Sequence, residues 1–139
     1  MRVSRYDLQG LAVAKVKDAK LLYDHRRYSN SYYLFGYGVE IGLKARIARV
    51  FAPETIPDKR FVNDIHTHDL NRLLLLSGLS TTLQNARNDD NQLNAHWATV
   101  LEWSEETRYD IIDAFRAQAM HNAMLDQKSG IFGWLQNNW

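Results

Sequence analysis

The two prolines of this chain, Pro53 and Pro57, fall in one short stretch, and that placement constrains the fold more than any other feature. A proline inside a helix removes a backbone hydrogen bond, clashes with the preceding turn and drives the residue before it out of the helical region. A helix should therefore end near Phe51, and Ala52 to Asp64 reads as the clearest loop. Elsewhere breakers are sparse, β-branched residues are scattered, and Ala, Leu, Arg, Lys, Gln and Glu dominate. No segment keeps up a strict apolar/polar alternation, so nothing reads as a half-buried strand. The expectation is an all-α protein, one helical domain over residues 1–139, with no repeat, linker or low-complexity tract.

Helical periodicity places the elements. The first helix should run from about Asp7 to Arg26, with Leu11, Val13, Ala14, Val16, Ala19, Leu21, Leu22 and Tyr23 on one broad side. The second should run from Ser29 to Phe51, capped by Ser29 or Asn30. Its first half (Tyr32, Tyr33, Leu34, Phe35, Tyr37, Val39) is apolar on nearly every side, which marks a helix at the centre of a bundle or at a dimer interface. Thr67 should cap a third helix that ends at Gly78, with Asp69 in its first turn. A short polar helix over Ser80 to Asn91 and a fourth main helix over Gln92 to Trp103 follow. Ser104, Glu105 and Glu106 resemble the start of another, running towards Asp126, and Ser129-Gly130 breaks the chain before a last short helix.

Several function classes drop out early. The chain has no cysteine, which removes disulfides, zinc–thiolate sites and a thiol nucleophile. No apolar run approaches the ~18 residues of a membrane span, and the first residues lack the apolar core of a signal peptide. A cytoplasmic protein without membrane contact is expected. Net charge is only +1, yet residues 1–60 carry 12 Lys/Arg against 6 Asp/Glu and residues 61–139 carry 5 against 10. The first half is thus at +6 and the second at −5. Such asymmetry can mark a nucleic-acid surface or a contact between subunits.

The most informative segment is Tyr28 to Ala45. Glu40 and Lys44 stand one helical turn apart, acid first, which is the favourable orientation. On so apolar a helix the pair fixes helix register or forms a polar patch facing a ligand groove. Gly36, Gly38 and Gly42 allow close approach by another helix and lack the spacing of a dinucleotide fingerprint.

This aromatic-rich Ser-Tyr-Tyr-Leu-x-Gly-Tyr-x-Val-Glu-x-x-Leu-Lys helix resembles that of HEPN-domain proteins, in particular small stand-alone ones. Three later landmarks agree in order. Thr67-His68-Asp69-Leu70, preceded by Ile56-Pro57-Asp58-Lys59, resembles the family's Thr-His-Asp-Leu helix start. Trp97 to Trp103, followed by Ser104-Glu105-x-x-Arg108-Tyr109, resembles its Trp–Ser-x-Glu–Arg-Tyr junction. Gly130 to Leu135 with Trp139 resembles its C-terminal tail. The resemblance implies an up-and-down bundle of four to five helices plus a short C-terminal helix, frequently a homodimer. It also implies nucleotide or RNA transactions. Some members are metal-independent ribonucleases, often toxins or defence effectors; others are non-cleaving partners of small nucleotidyltransferases.

The nuclease branch is recognised by Arg-x4–6-His. Arg116 and His121 fit that spacing, and the chemistry suits: a histidine can move the ribose 2′-hydroxyl proton and an arginine can stabilise charge building on phosphate. No metal or other cofactor is then needed. Ala117 replaces the usual polar residue, however, and positions five apart on an unbroken helix point about 140° away from each other. Acidic Asp110, Asp113 and Asp126 are poor company for a phosphate backbone. Arg60 and His66 give a second match in the loop. His66 and His68 flank Thr67 and invite a metal reading with Asp64 and Asp69 that lacks a third histidine. His25 and His96 carry no constellation. A polar or ligand-binding group of Glu40, Lys44, His68, Asp69, Arg108 and Tyr109 remains, with Arg108 pairing with Glu40 on the family pattern. The preferred expectation is a non-catalytic, dimeric, nucleotide- or RNA-associated module in a toxin–antitoxin or defence setting. A ribonuclease and a purely structural dimerisation domain are the alternatives.

Overall fold

The computed structural model describes residues 3–50, 63 and 65–139. Among these lie seven α-helices and no strand: α1 (Arg5–Asp24), α2 (Tyr28–Val50), α3 (Leu70–Leu76), α4 (Ser80–Asp89), α5 (Asn91–Leu101), α6 (Ala114–Leu125) and α7 (Ile131–Gln136). A 3-10 turn, Glu105–Tyr109, sits between α5 and α6. The all-α expectation holds, and no described helix is long and apolar enough to cross a membrane. The proline stretch lies outside the described residues.

α1 begins with a capping box: Asp7 N–H donates to Ser4 Oγ (3.1 Å), and Ser4 N–H donates to Asp7 Oδ2 (3.0 Å). This satisfies donors that a helix start otherwise leaves open, and it puts the start two residues before the expected one. The helix stops at a left-handed Arg26 (φ 60°), and the chain turns directly into α2. Small side chains on the inner face of α1 (Ala12, Val16, Ala19) let the two helices close into a hairpin. Gly38 is part of that fit, because a Cβ there would lie 2.7 Å from Val16 Cγ2. Ser31 Oγ donates to the Ala19 carbonyl at 2.7 Å across the seam.

α2 is the central helix, as its all-round apolar sequence requires: it packs against α1, α3, the 3-10 turn, α6 and α7. Its glycines are contact points for other elements. The Trp103 indole lies where a Gly36 side chain would project, and its Nε1–H donates to the Tyr33 carbonyl at 3.1 Å. Leu135 of α7 packs into the space that Gly42 leaves. Arg46 ties α2 to two further segments by donating to the Ser77 carbonyl (3.3 Å) and the Asn138 carbonyl (3.1 Å). Arg49 donates to the Trp139 carbonyl oxygen.

Three further boundaries move. Asp69, not Thr67, caps α3, accepting from the Asn71 and Arg72 amides, while Thr67 Oγ1 accepts from Asp69 N–H. Ser29 does not cap α2; its hydroxyl accepts from Ile112 N–H at 3.0 Å. That bond explains the third correction. The helix expected from Ser104 makes only the 3-10 turn, because Ile112 N–H is committed to Ser29 and the chain runs extended to Asp113. α6 starts only at Ala114, capped by Asp113.

Candidate functional site

A carboxylate in the interior of α2 needs partners, since an unpaired buried charge is strongly destabilising. Glu40 is 1% exposed and has two partners. Lys44, one turn along, places Nζ 3.3 Å from Oε2, and His68 places Nδ1 2.9 Å from Oε1. The His68 loop is held by the Thr67–Asp69 turn and by the α3 cap. On its other edge, His68 Nε2 lies 3.3 Å from Glu105 Oε2 in the 3-10 turn, and Glu105 Oε1 lies 3.7 Å from Arg108 Nη1. Lys44, Glu40, His68, Glu105 and Arg108 thus form one chain of polar contacts. The field reaches Tyr37, whose phenol is pushed above its ordinary value by burial first and then by the negative charge of Glu40.

This chain opens onto a groove of about 500 Å³ whose walls include His68, Asn71, Trp103, Ser104, Glu105 and Glu106. Carboxylates outnumber cations there, so the groove favours a group offering N–H or O–H donors over a phosphate, which would meet like charge. The Glu40–Lys44 pair is therefore both a buried structural pair and the inner end of a groove-lining relay. The expected Arg108–Glu40 pairing is corrected: His68 occupies the side of Glu40 away from Lys44, and Arg108 reaches Glu105 instead. Arg108 also stacks over the Tyr109 ring at 4.8 Å, and Tyr109 stands 75% exposed. Asp69 is a helix cap, with its Oδ1 engaged by two amides.

Arg116 and His121 have different partners. Arg116 lies in the first turn of α6, with its guanidinium 4.8 Å over the Tyr32 ring and Nη2 3.3 Å from the Tyr32 hydroxyl. Burial pushes the Tyr32 phenol up, and Arg116 partly offsets the effect. His121 stacks on Tyr23 at 4.2 Å and meets Phe35 edge-on at 6.0 Å. The helix expected to run from Ser104 through Arg116 starts instead at the Asp113 cap, whose Oδ1 accepts from Arg116 N–H itself. Aromatic neighbours, and not each other, set the orientation of both side chains.

Among the described residues no three His, Asp or Glu side chains come together as a metal-binding group. His66 is exposed, and the Asp64 and Arg60 named with it lie outside the described residues. His25 is exposed and its Nδ1 contacts the Leu21 carbonyl. His96, which the sequence left without a role, is a buried strut. Its Nδ1 lies 2.9 Å from the Ser129 carbonyl, so that nitrogen carries the proton and Nε2 accepts from the Gln92 amide at 3.0 Å. Ser129 Oγ in turn donates to Asp90, the cap of α5, at 2.7 Å. The sequence also missed Glu105 as the second partner of His68; the only signal was its place after the Trp103-Ser104 corner.

No family model, no curated protein and no solved structure matches this chain.

Proposed function

We propose that this chain is a HEPN-like, nucleotide- or RNA-associated module that is non-catalytic and dimeric, acting in the cytoplasm beside a partner in a toxin–antitoxin or defence setting. The observation that supports this reading is the convergence of segments far apart in sequence. Glu40 of the aromatic helix, His68 of Thr-His-Asp-Leu and Glu105 of the Trp–Ser-x-Glu junction meet in one relay, at 2.9 and 3.3 Å. These are the landmarks on which the resemblance rests, and a chance match gives no reason for them to touch. The aromatic packing of Arg116 and His121 favours the non-cleaving branch.

The basic half contributes less free charge than its count suggests. Lys44, Arg46 and Arg49 hold Glu40 and backbone carbonyls, and Lys59 and Arg60 lie outside the described residues. Arg26 and Arg27, exposed at the turn between α1 and α2, are the phosphate-contacting groups of this reading. Anisotropy with a labelled single-stranded RNA tests it. Binding should weaken as salt rises, and Arg26→Ala with Arg27→Ala should weaken it further at low salt. Absence of low-salt binding would overturn the reading. RNA cleavage in EDTA that His121→Ala abolishes would replace it with the ribonuclease.

A further inference from the structure

The acidic excess of the second half of the chain is concentrated in one place. Five of its ten carboxylates (Glu102, Glu105, Glu106, Asp110 and Asp113) fall between residues 102 and 113. All but Glu105 are exposed. They are gathered in space as well as in sequence, because the charges of Glu102 and Asp110 both reach the Tyr32 hydroxyl that Arg116 contacts at 3.3 Å. The two arginines of the segment are already engaged, Arg116 over the Tyr32 ring and Arg108 with Glu105 and the Tyr109 ring. From Glu102 to Arg116 the chain thus sets five acids against two bases, a net charge of −3.

The same segment presents apolar side chains to water: Tyr109 at 75%, Ile111 at 97% and Phe115 at 81% exposed. The backbone beneath them is fixed, with Ile112 N–H bonded to Ser29 and Asp113 capping α6, so the chain cannot turn them inward without breaking both contacts. The three side chains present roughly 450 Å². An apolar patch of that order, rimmed by charge, is the mark of a protein contact. Arg108 joins the patch to the groove beside His68, since its guanidinium covers Tyr109 and reaches Glu105 in the groove wall.

We propose that groove and patch together dock a basic, amphipathic segment of a partner protein, with an arginine or lysine entering the groove beside Glu105 and Glu106 and apolar side chains covering Ile111 and Phe115. Charge decides among the occupants. A second copy of this face would set −3 against −3, and a nucleic-acid backbone or an anionic membrane would also meet like charge. A neutral segment gains the apolar contact and leaves the carboxylates at its edge unpaired. A basic segment gains both, together with the faster encounter that opposite charge gives. The groove, about 500 Å³, has room for one long cationic side chain, with Leu70 and Leu101 to meet its stem and the two glutamates to meet its head. Such a surface gives the partner in the reading above its chemistry, and it rests on that reading for there being a partner. The test contains no nucleic acid, so loss of RNA binding through Arg26 and Arg27 leaves its result untouched.

The experiment is fluorescence anisotropy of a labelled synthetic peptide, with leucine on one helical face and arginine on the other, titrated with the full chain. Binding should saturate and should weaken as salt rises. The same peptide with glutamate in place of arginine, or serine in place of leucine, should bind about tenfold more weakly or worse. Ile111→Ser should cost about tenfold in affinity, the worth of burying one large apolar side chain. Glu106→Gln should cost about threefold, as an exposed ion pair does. Leu11→Ser, at an exposed leucine of α1, should change nothing. Far-UV circular dichroism should stay the same for all three variants, whose substituted side chains lie outside the core. Absence of saturable binding, equal binding of the glutamate peptide, or an equal loss in Leu11→Ser overturns the proposal. So does sedimentation of the free chain as a dimer that Ile111→Ser dissociates, which would give the face to a second copy.

Discussion

His68→Ala tests whether the relay stabilises the fold or merely decorates the groove. Removing one partner of a fully buried ion pair destabilises by about 3–5 kcal/mol, because the remaining charge is left uncompensated. Here the loss should be smaller. Lys44 stays 3.3 Å from the carboxylate, and the side chain of His68 is 42% exposed, so water can enter where the ring was. An expected loss of about 2 kcal/mol follows, which for a domain of this size lowers Tm by roughly 4–8 °C. Thermal melts at neutral pH measure it directly. The control is the same substitution in a Glu40→Gln background, where no buried charge remains to be stranded. There the His68→Ala loss should shrink to below about 1 kcal/mol, leaving a coupling energy of the size that touching residues show. A Tm unchanged within about 1 °C, or an equal loss in both backgrounds, would refute the reasoning.

Two further outcomes follow from the packing and the caps. Gly36→Ala should destabilise by about 3 kcal/mol despite alanine's better helix propensity, because the new Cβ would fall 2.2 Å from Trp103 Cγ and the indole is tethered to Tyr33. Denaturant unfolding followed by tryptophan fluorescence reads that loss. The Asp90 carboxyl is held below its ordinary value of 3.8, first by the Ser129 hydroxyl and then by the α5 amides. Its stabilisation is therefore complete above that value and is lost as pH falls through the lowered folded-state value. Asp90→Asn should accordingly melt below wild type at pH 5–7 and converge with it in acid below about pH 3.8. A gap that does not narrow in acid would remove the carboxylate from the account.

The fold was largely legible because helical periodicity and capping are local. An apolar central helix and the Ser80 and Ile131 segments marked the elements, and the glycines of α2 marked where others come close. The boundaries that moved were those decided at a distance. Nothing within a few residues of Ser104 announces that Ile112 N–H will be taken by Ser29, 83 residues earlier. The site was legible in its members and not in its wiring. Glu40, Lys44, His68 and Arg108 were all named and the Glu40–Lys44 pair is present, yet the second partner of Glu40, taken as Arg108 on the family pattern, is His68. The choice depends on which loop reaches the carboxylate first. Ile111 and Phe115 lie in an apolar run of the sequence, yet both are exposed in the structure.

The wiring of Glu40 also orders the events of folding. α1 and α2 are joined by three residues and can close on each other at little entropic cost. The Glu40 contact with His68 spans 28 residues, and the Glu105 contact must wait for the chain beyond α5 to return. A hairpin formed early thus carries a carboxylate towards the interior with only Lys44 to accompany it. The central helix is held back from full burial until both distant segments arrive, so closure of the hairpin alone cannot commit the chain to its final core.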